Sequence, residues 1–177
     1  MTSPLENLSG PGQPLRKEAP DAKEFAGLER SGLTRLADAQ NESNSLESRF
    51  DLAYNAAHAL CLAALRRSGY RSANRYIVFQ ALQHTLGLGP EVWRVLAQCH
   101  DVRNRGEYEG DLFVDERLLT DLIKACKIVA AAVHLDSLAP RLVAPREVPD
   151  CRPLRNRLPS RTVKRQRCLW RLSACRT

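Results

Sequence analysis

Apolar residues between positions 21 and 140 recur at three- and four-residue steps, the spacing that puts side chains on one face of an α-helix. The clearest run is Leu46, Phe50, Ala53, Tyr54, Ala57, Leu60, Cys61, Ala64 and Leu65. Asn44 followed by Glu47 resembles a capping box at its start, and Gly69 supplies a C-cap past Arg67. Upstream, residues 21–42 read as a first helix, with Asp21 as its cap and Phe25, Leu28, Leu33 and Leu36 as a loose stripe. Gly27 and Gly32 lower its intrinsic helix propensity. A third helix is predicted from Ala73 to Leu86, ending at Gly87, with Tyr76, Ile77, Phe79, Ala81, Leu82 and Leu86 as its apolar members. Pro90 suits a first helical position, where a missing N–H costs nothing. The helix it opens buries Val92, Trp93, Leu96, Cys99 and Val102 and runs to about Tyr108, with Gly106 and Gly110 marking a fraying end. Asp115 then caps a last helix carrying Leu118, Leu119, Leu122, Ile123, Cys126, Val129, Ala130 and Val133, and Pro140 lies beyond it.

No segment alternates with period two, and no internal repeat is present. Each helix has one apolar stripe that it cannot bury alone. The expected fold class is all-α, an antiparallel four- to five-helix bundle over residues 21–140. Residues 1–20 read as a flexible arm, because Gly10-Pro11-Gly12-Gln13-Pro14 sustains neither helix nor strand. Residues 141–177 are rich in Arg, Pro, Ser and Cys without a helical period, a composition that predicts disorder.

Charge changes the picture by its location. The chain carries +7, but residues 141–177 hold eleven Arg and Lys against two acids, a net +9, so residues 1–140 carry −2. The basic character belongs to the tail. Such a tail reads either as an arm that grips phosphate backbones without sequence preference or as an added segment with no selected role. The six cysteines, Cys61, Cys99, Cys126, Cys151, Cys168 and Cys175, form no C-x-x-C pair and sit at no zinc spacing from a histidine. The first three fall on apolar helix positions and read as core thiols. No metal or cofactor is expected. Residues 1–20 show no apolar leader, no window approaches ~18 uninterrupted apolar residues, and the expected setting is the cytoplasm, away from membranes. No Gly-rich phosphate loop or nucleophile elbow appears, which removes support for kinase and hydrolase chemistry.

Candidate chemistry gathers at His100-Asp101-Val102-Arg103-Asn104-Arg105-Gly106-Glu107-Tyr108-Glu109-Gly110, where polar residues crowd the end of a well-patterned helix. Arg103 and Glu107 are four apart and share a face. A salt bridge between them explains both residues structurally, although Arg before Glu is the less favourable order. His100, nearly one turn before Arg103, falls on the same side.

Residues 45–135 resemble a HEPN (higher eukaryotes and prokaryotes nucleotide-binding) domain. The resemblance is carried by Tyr54-Asn55-Ala56-Ala57-His58 in the long early helix, by the helical layout, and by Arg103-Asn104 ahead of Tyr108. It implies a compact, commonly dimeric helical bundle. Many such domains are metal-independent ribonucleases, and others are inactive modules that bind nucleotides or partners. Many small bacterial ones pair as toxins with a minimal nucleotidyltransferase antitoxin. The resemblance implies a homodimer acting on RNA, with Arg103, Asn104, Glu107 and Tyr108 as the catalytic candidates, or else a non-catalytic module that binds a nucleotide or a nucleotidyltransferase. In active members an Arg steadies phosphate charge and a His moves protons. At the positions where that His falls, this chain has Tyr108, Glu109 and Gly110.

Overall fold

A computed structural model describes residues 4–109 and 114–138. The basic segment 141–177 and Gly110 lie outside those residues. The elements are α1 (Pro4–Asn7), β1 (Arg16–Lys17), α2 (Ala22–Ala39), α3 (Leu46–Arg67), β2 (Tyr70–Arg71), α4 (Arg75–Gln80), α5 (Leu82–Thr85), α6 (Pro90–Glu109) and α7 (Glu116–Leu138). The fold is all-α apart from one two-stranded ribbon. No helix among the described residues is long and apolar enough to cross a membrane.

α3 is the central helix because its apolar face is nearly continuous. Phe50, Ala53, Tyr54, Ala56, Ala57, Leu60, Cys61, Ala63, Ala64 and Leu65 are all buried. Small residues on that face let neighbours approach. α2 packs antiparallel along it, with Glu24 at its start paired to Arg66 and the Ala39 carbonyl at its end bonded by Arg49. Ion pairs Arg49–Glu116 and Arg67–Asp136 join the starts and the ends of α3 and α7, so these two helices run parallel. α6 runs antiparallel to α3, since Arg103 meets Asp51 while His100 meets Tyr54.

The caps follow local chemistry with one change. Asp21 accepts from the Lys23 and Glu24 N–H groups, and Asp115 from that of Leu118. At α3 the cap is Ser45, whose hydroxyl accepts from the Ser48 N–H at 3.2 Å. The expected Asn44–Glu47 box does not form, because Asn44 turns back to the Asp38 carbonyl. Gly69 and Gly87 adopt φ of +85° and +67°, the left-handed conformation that ends α3 and α5 at low cost for glycine.

Three further expectations are corrected. The single helix from Ala73 to Leu86 is broken at Ala81, where a tightened turn (ψ −12°) separates α4 from α5. In α2, Leu33 faces outward at 44% exposure, and Gly32 takes the inner position. A Cβ on Gly32 would stand 2.7 Å from Leu60 Cγ, so its absence lets α2 and α3 meet. Residues 4–20 are not a free arm: Leu5 and Leu15 belong to the core, and β1 pairs antiparallel with β2, Arg16 opposite Arg71.

What holds that segment down is a buried cation. Arg66 is 2% exposed. Its guanidinium meets Glu24 at 2.9 Å and Glu18 at 3.2 Å, and it also donates to the carbonyls of Glu18 and Ala19. Arg71 completes the arrangement by bonding the same two carboxylates at 2.9 and 2.6 Å. A buried arginine is tolerated when its fork of donors is filled in this way.

Candidate functional site

Two matching polar stripes face each other across the α3–α6 contact. On α3 the stripe is Asp51, Tyr54, Asn55 and His58; on α6 it is His100, Arg103, Asn104 and Glu107. Both follow steps of three and four, so each set lies on one side of its helix. α4 adds Arg75, Tyr76 and Phe79 from the side.

Tyr54 is the hub. It is fully buried, with Phe79 edge-on at 5.8 Å. Its hydroxyl lies 2.8 Å from His100 Nδ1, and His100 Nε2 lies 3.1 Å from the Asn104 side-chain nitrogen. With the amide nitrogen on that side, a neutral ring accepts at Nε2 and donates Nδ1–H to the Tyr54 oxygen; turning the amide over reverses both bonds. Either way, both imidazole nitrogens are engaged. Burial pushes the Tyr54 hydroxyl above its ordinary value, against the pull of Arg75 and Arg103. Burial lowers His100 below the ordinary histidine range, and the charges of Arg75 and Arg103 add to that, while Asp101 and Glu107 oppose it. His58 is pushed down further, to about 4, first by burial and then by Arg75, His100 and Arg103. At neutral pH both rings are uncharged.

Arg103 is held on three sides. Its Nε meets Asp51 at 3.0 Å, its Nη2 meets Glu107 at 2.8 Å, and its guanidinium carbon sits 5.0 Å from the Tyr54 ring centroid. The Arg103–Glu107 bridge expected from the spacing is present. Asp51 is a second carboxylate that the sequence reading missed. The groove beside Arg103, about 330 Å3, is lined by Glu47, Ser48, Asp51, Arg103, Gly106 and Glu107. Its rim is thus acidic around one neutralised arginine.

Of the four candidate residues, the structure brings together Arg103, Asn104 and Glu107, with His100 on the same side. Tyr108 is 86% exposed and takes no part in the cluster. The residues missed were Asp51 and Arg75; the polar positions 51, 54, 55 and 58 spaced along an apolar helix were the available signal for the first. Among the described residues, no group of three or more His, Cys, Asp or Glu is placed to hold a metal ion. Cys61, Cys99 and Cys126 are buried free thiols, and burial pushes Cys99 and Cys126 up to about 12, so none is a ready nucleophile. No protein-family model, curated protein or solved structure matches the chain.

Proposed function

We propose that this protein is a HEPN-like helical module that binds a nucleotide or a nucleotidyltransferase partner and does not cleave RNA. One observation carries this reading: the groups that would have to act on a phosphate are committed to partners within the chain. Arg103 is neutralised by Asp51 and Glu107, and both nitrogens of His100 are engaged by Tyr54 and Asn104. A cleaving site needs positive charge aimed at the reacting oxygens and a base free to take a proton. The carboxylates lining the groove repel a polyanion instead. Glu107 is tied to Arg103 as an ion pair at 2.8 Å, so its carboxylate too is occupied by a partner within the chain.

The family resemblance adds a toxin–antitoxin pairing and a homodimer to the proposal, and the cytoplasm is the setting expected from the sequence. For the dimer, Ile128 and Leu135 lie two helical turns apart on one side of α7 and are 47% and 68% exposed. Sedimentation of the full chain is expected to give twice the 19.8 kDa of one copy, and a monomer at micromolar concentration would remove the dimer. The competing reading is a metal-independent endoribonuclease, favoured by a neutral His100 one turn from Arg103. Expression of the full chain in bacteria, with and without Arg103→Ala, separates the two. Equal growth supports the binding module, whereas growth arrest relieved by Arg103→Ala supports the ribonuclease.

A further inference from the structure

Around Tyr54 there are two guanidiniums, and they differ in one respect. Arg103 is neutralised by two carboxylates. Arg75 has no carboxylate within ion-pair distance among the described residues. It donates to the neutral amide oxygen of Asn55 at 3.3 Å, and its guanidinium carbon stands 5.7 Å from the Tyr54 ring centroid. Asn55 is itself fixed, its amide nitrogen donating to the Asp51 carbonyl at 2.8 Å. Arg75 is therefore held by neutral groups, the Asn55 amide and the Tyr54 hydroxyl, and keeps its charge and its remaining N–H donors for something else.

His58 lies one turn along α3 from Tyr54, near enough to Arg75 for that charge to bear on its ring. Its ring packs edge-on against Phe79 at 6.0 Å. It makes no hydrogen bond among the described residues, in contrast to His100. Both Arg75 and His58 are half-buried, so part of each side chain meets solvent. A fixed cation and a neighbouring ring with free nitrogens, backed by aromatic walls, suit a tetrahedral oxyanion.

We propose that Arg75 and His58 form an anion subsite that takes a phosphate group, either as inorganic phosphate or as the monoester of a nucleotide. Arg75 supplies two N–H donors to the phosphate oxygens, and His58 takes up a proton and donates a third. Burial, and after it the neighbouring Arg75, His100 and Arg103, disfavour protonation of His58 in the free protein. A bound dianion reverses that balance. The proposal does not depend on the HEPN resemblance, because the geometry holds whatever family the chain belongs to.

The test is proton NMR of the ring C2–H signals of His58, His84, His100 and His134 in the full chain. Inorganic phosphate or AMP is titrated in against sodium chloride at matched ionic strength. His58 is expected to move, and its midpoint to rise by about one pH unit or more, while His84 and His134 follow the chloride control. Arg75→Gln is expected to abolish the effect, and Arg105→Gln, at an exposed position on α6, to leave it intact. A response to AMP alone assigns the site to a phosphate ester, and a response to both assigns it to phosphate in general. A His58 signal unmoved by either ligand at tens of millimolar overturns the proposal, as does equal movement in Arg75→Gln. Should that variant lose its fold by circular dichroism, the wild-type comparison with chloride decides alone. Failure here leaves the binding-module reading standing, since that reading is tested at Arg103 by growth.

Discussion

Replacing His58 by leucine is expected to remove a large part of the chain's sensitivity to mild acid. In the folded protein His58 titrates at about 4, against an ordinary value of 6.5, because burial and nearby positive charge disfavour its imidazolium. The unfolded chain therefore binds a proton more readily than the folded one across this window. The stability that His58 contributes is full above about pH 6.5, declines as the pH falls, and is gone by about pH 4. A shift of this size corresponds to roughly 3 kcal/mol as an upper limit. Because the ring is only half-buried, about 2 kcal/mol is the expected figure after solvent screening. The assay is urea unfolding followed by circular dichroism at about pH 7 and about pH 4.5. Wild type should lose about 1–2 kcal/mol more between these points than His58→Leu. Carboxylates such as Glu24, whose bonds to Arg66 and Arg71 hold it below its usual range despite the opposing effect of burial, destabilise both proteins alike at low pH. Identical losses in the two proteins would show that His58 is not held neutral by the fold, and the electrostatic description of the cluster would fail with it.

Arg66→Met should cost about 2–4 kcal/mol in the same unfolding assay, since it strips donors from two backbone carbonyls and leaves Glu18 and Glu24 with Arg71 alone. It should also speed proteolysis within residues 4–20, and an unchanged cleavage rate would contradict the anchoring role given to Arg66. Gly32→Ala should cost about 1–3 kcal/mol by forcing its methyl against the buried Leu60; a neutral or stabilising effect would show that the helices separate freely. A double-mutant cycle of Arg103→Ala with Asp51→Ala should give a coupling of about 0.5–1 kcal/mol, and no coupling would mean that the α3–α6 tie does not persist in solution.

The helices were legible in the sequence because their apolar steps are regular. Phe50 through Leu65, Val92 through Val102 and Leu119 through Val133 are buried as the spacing requires. The errors came where a neighbour decides. Leu33 and Gly32 are adjacent, and hydrophobicity alone favoured Leu33; only the approach of Leu60 makes glycine the inner residue. Leu5 and Leu15 lie in a Gly/Pro-rich stretch with no period, and the segment that carries them is bonded to Arg66, forty-eight positions from Glu18 in the chain. No local pattern reports such a contact. At the site, Arg103, Asn104 and Glu107 were legible from one helix. Asp51 and Tyr54, the partners of Arg103 on α3, lie about fifty residues away, and whether a charge is aimed outward or neutralised within is set by that pairing. Tyr108 illustrates the converse: its place in the motif suggested a role, yet its ring stands in solvent.

On the reading proposed above, Arg103 is spent on pairing with Asp51 and Glu107 and performs no cleavage. The most direct test incubates purified full-length protein, and the Arg103→Ala variant beside it, with end-labelled RNA in excess chelator. Neither protein is expected to cleave RNA above the rate without protein. RNA cut by the wild type and left intact by Arg103→Ala would contradict it.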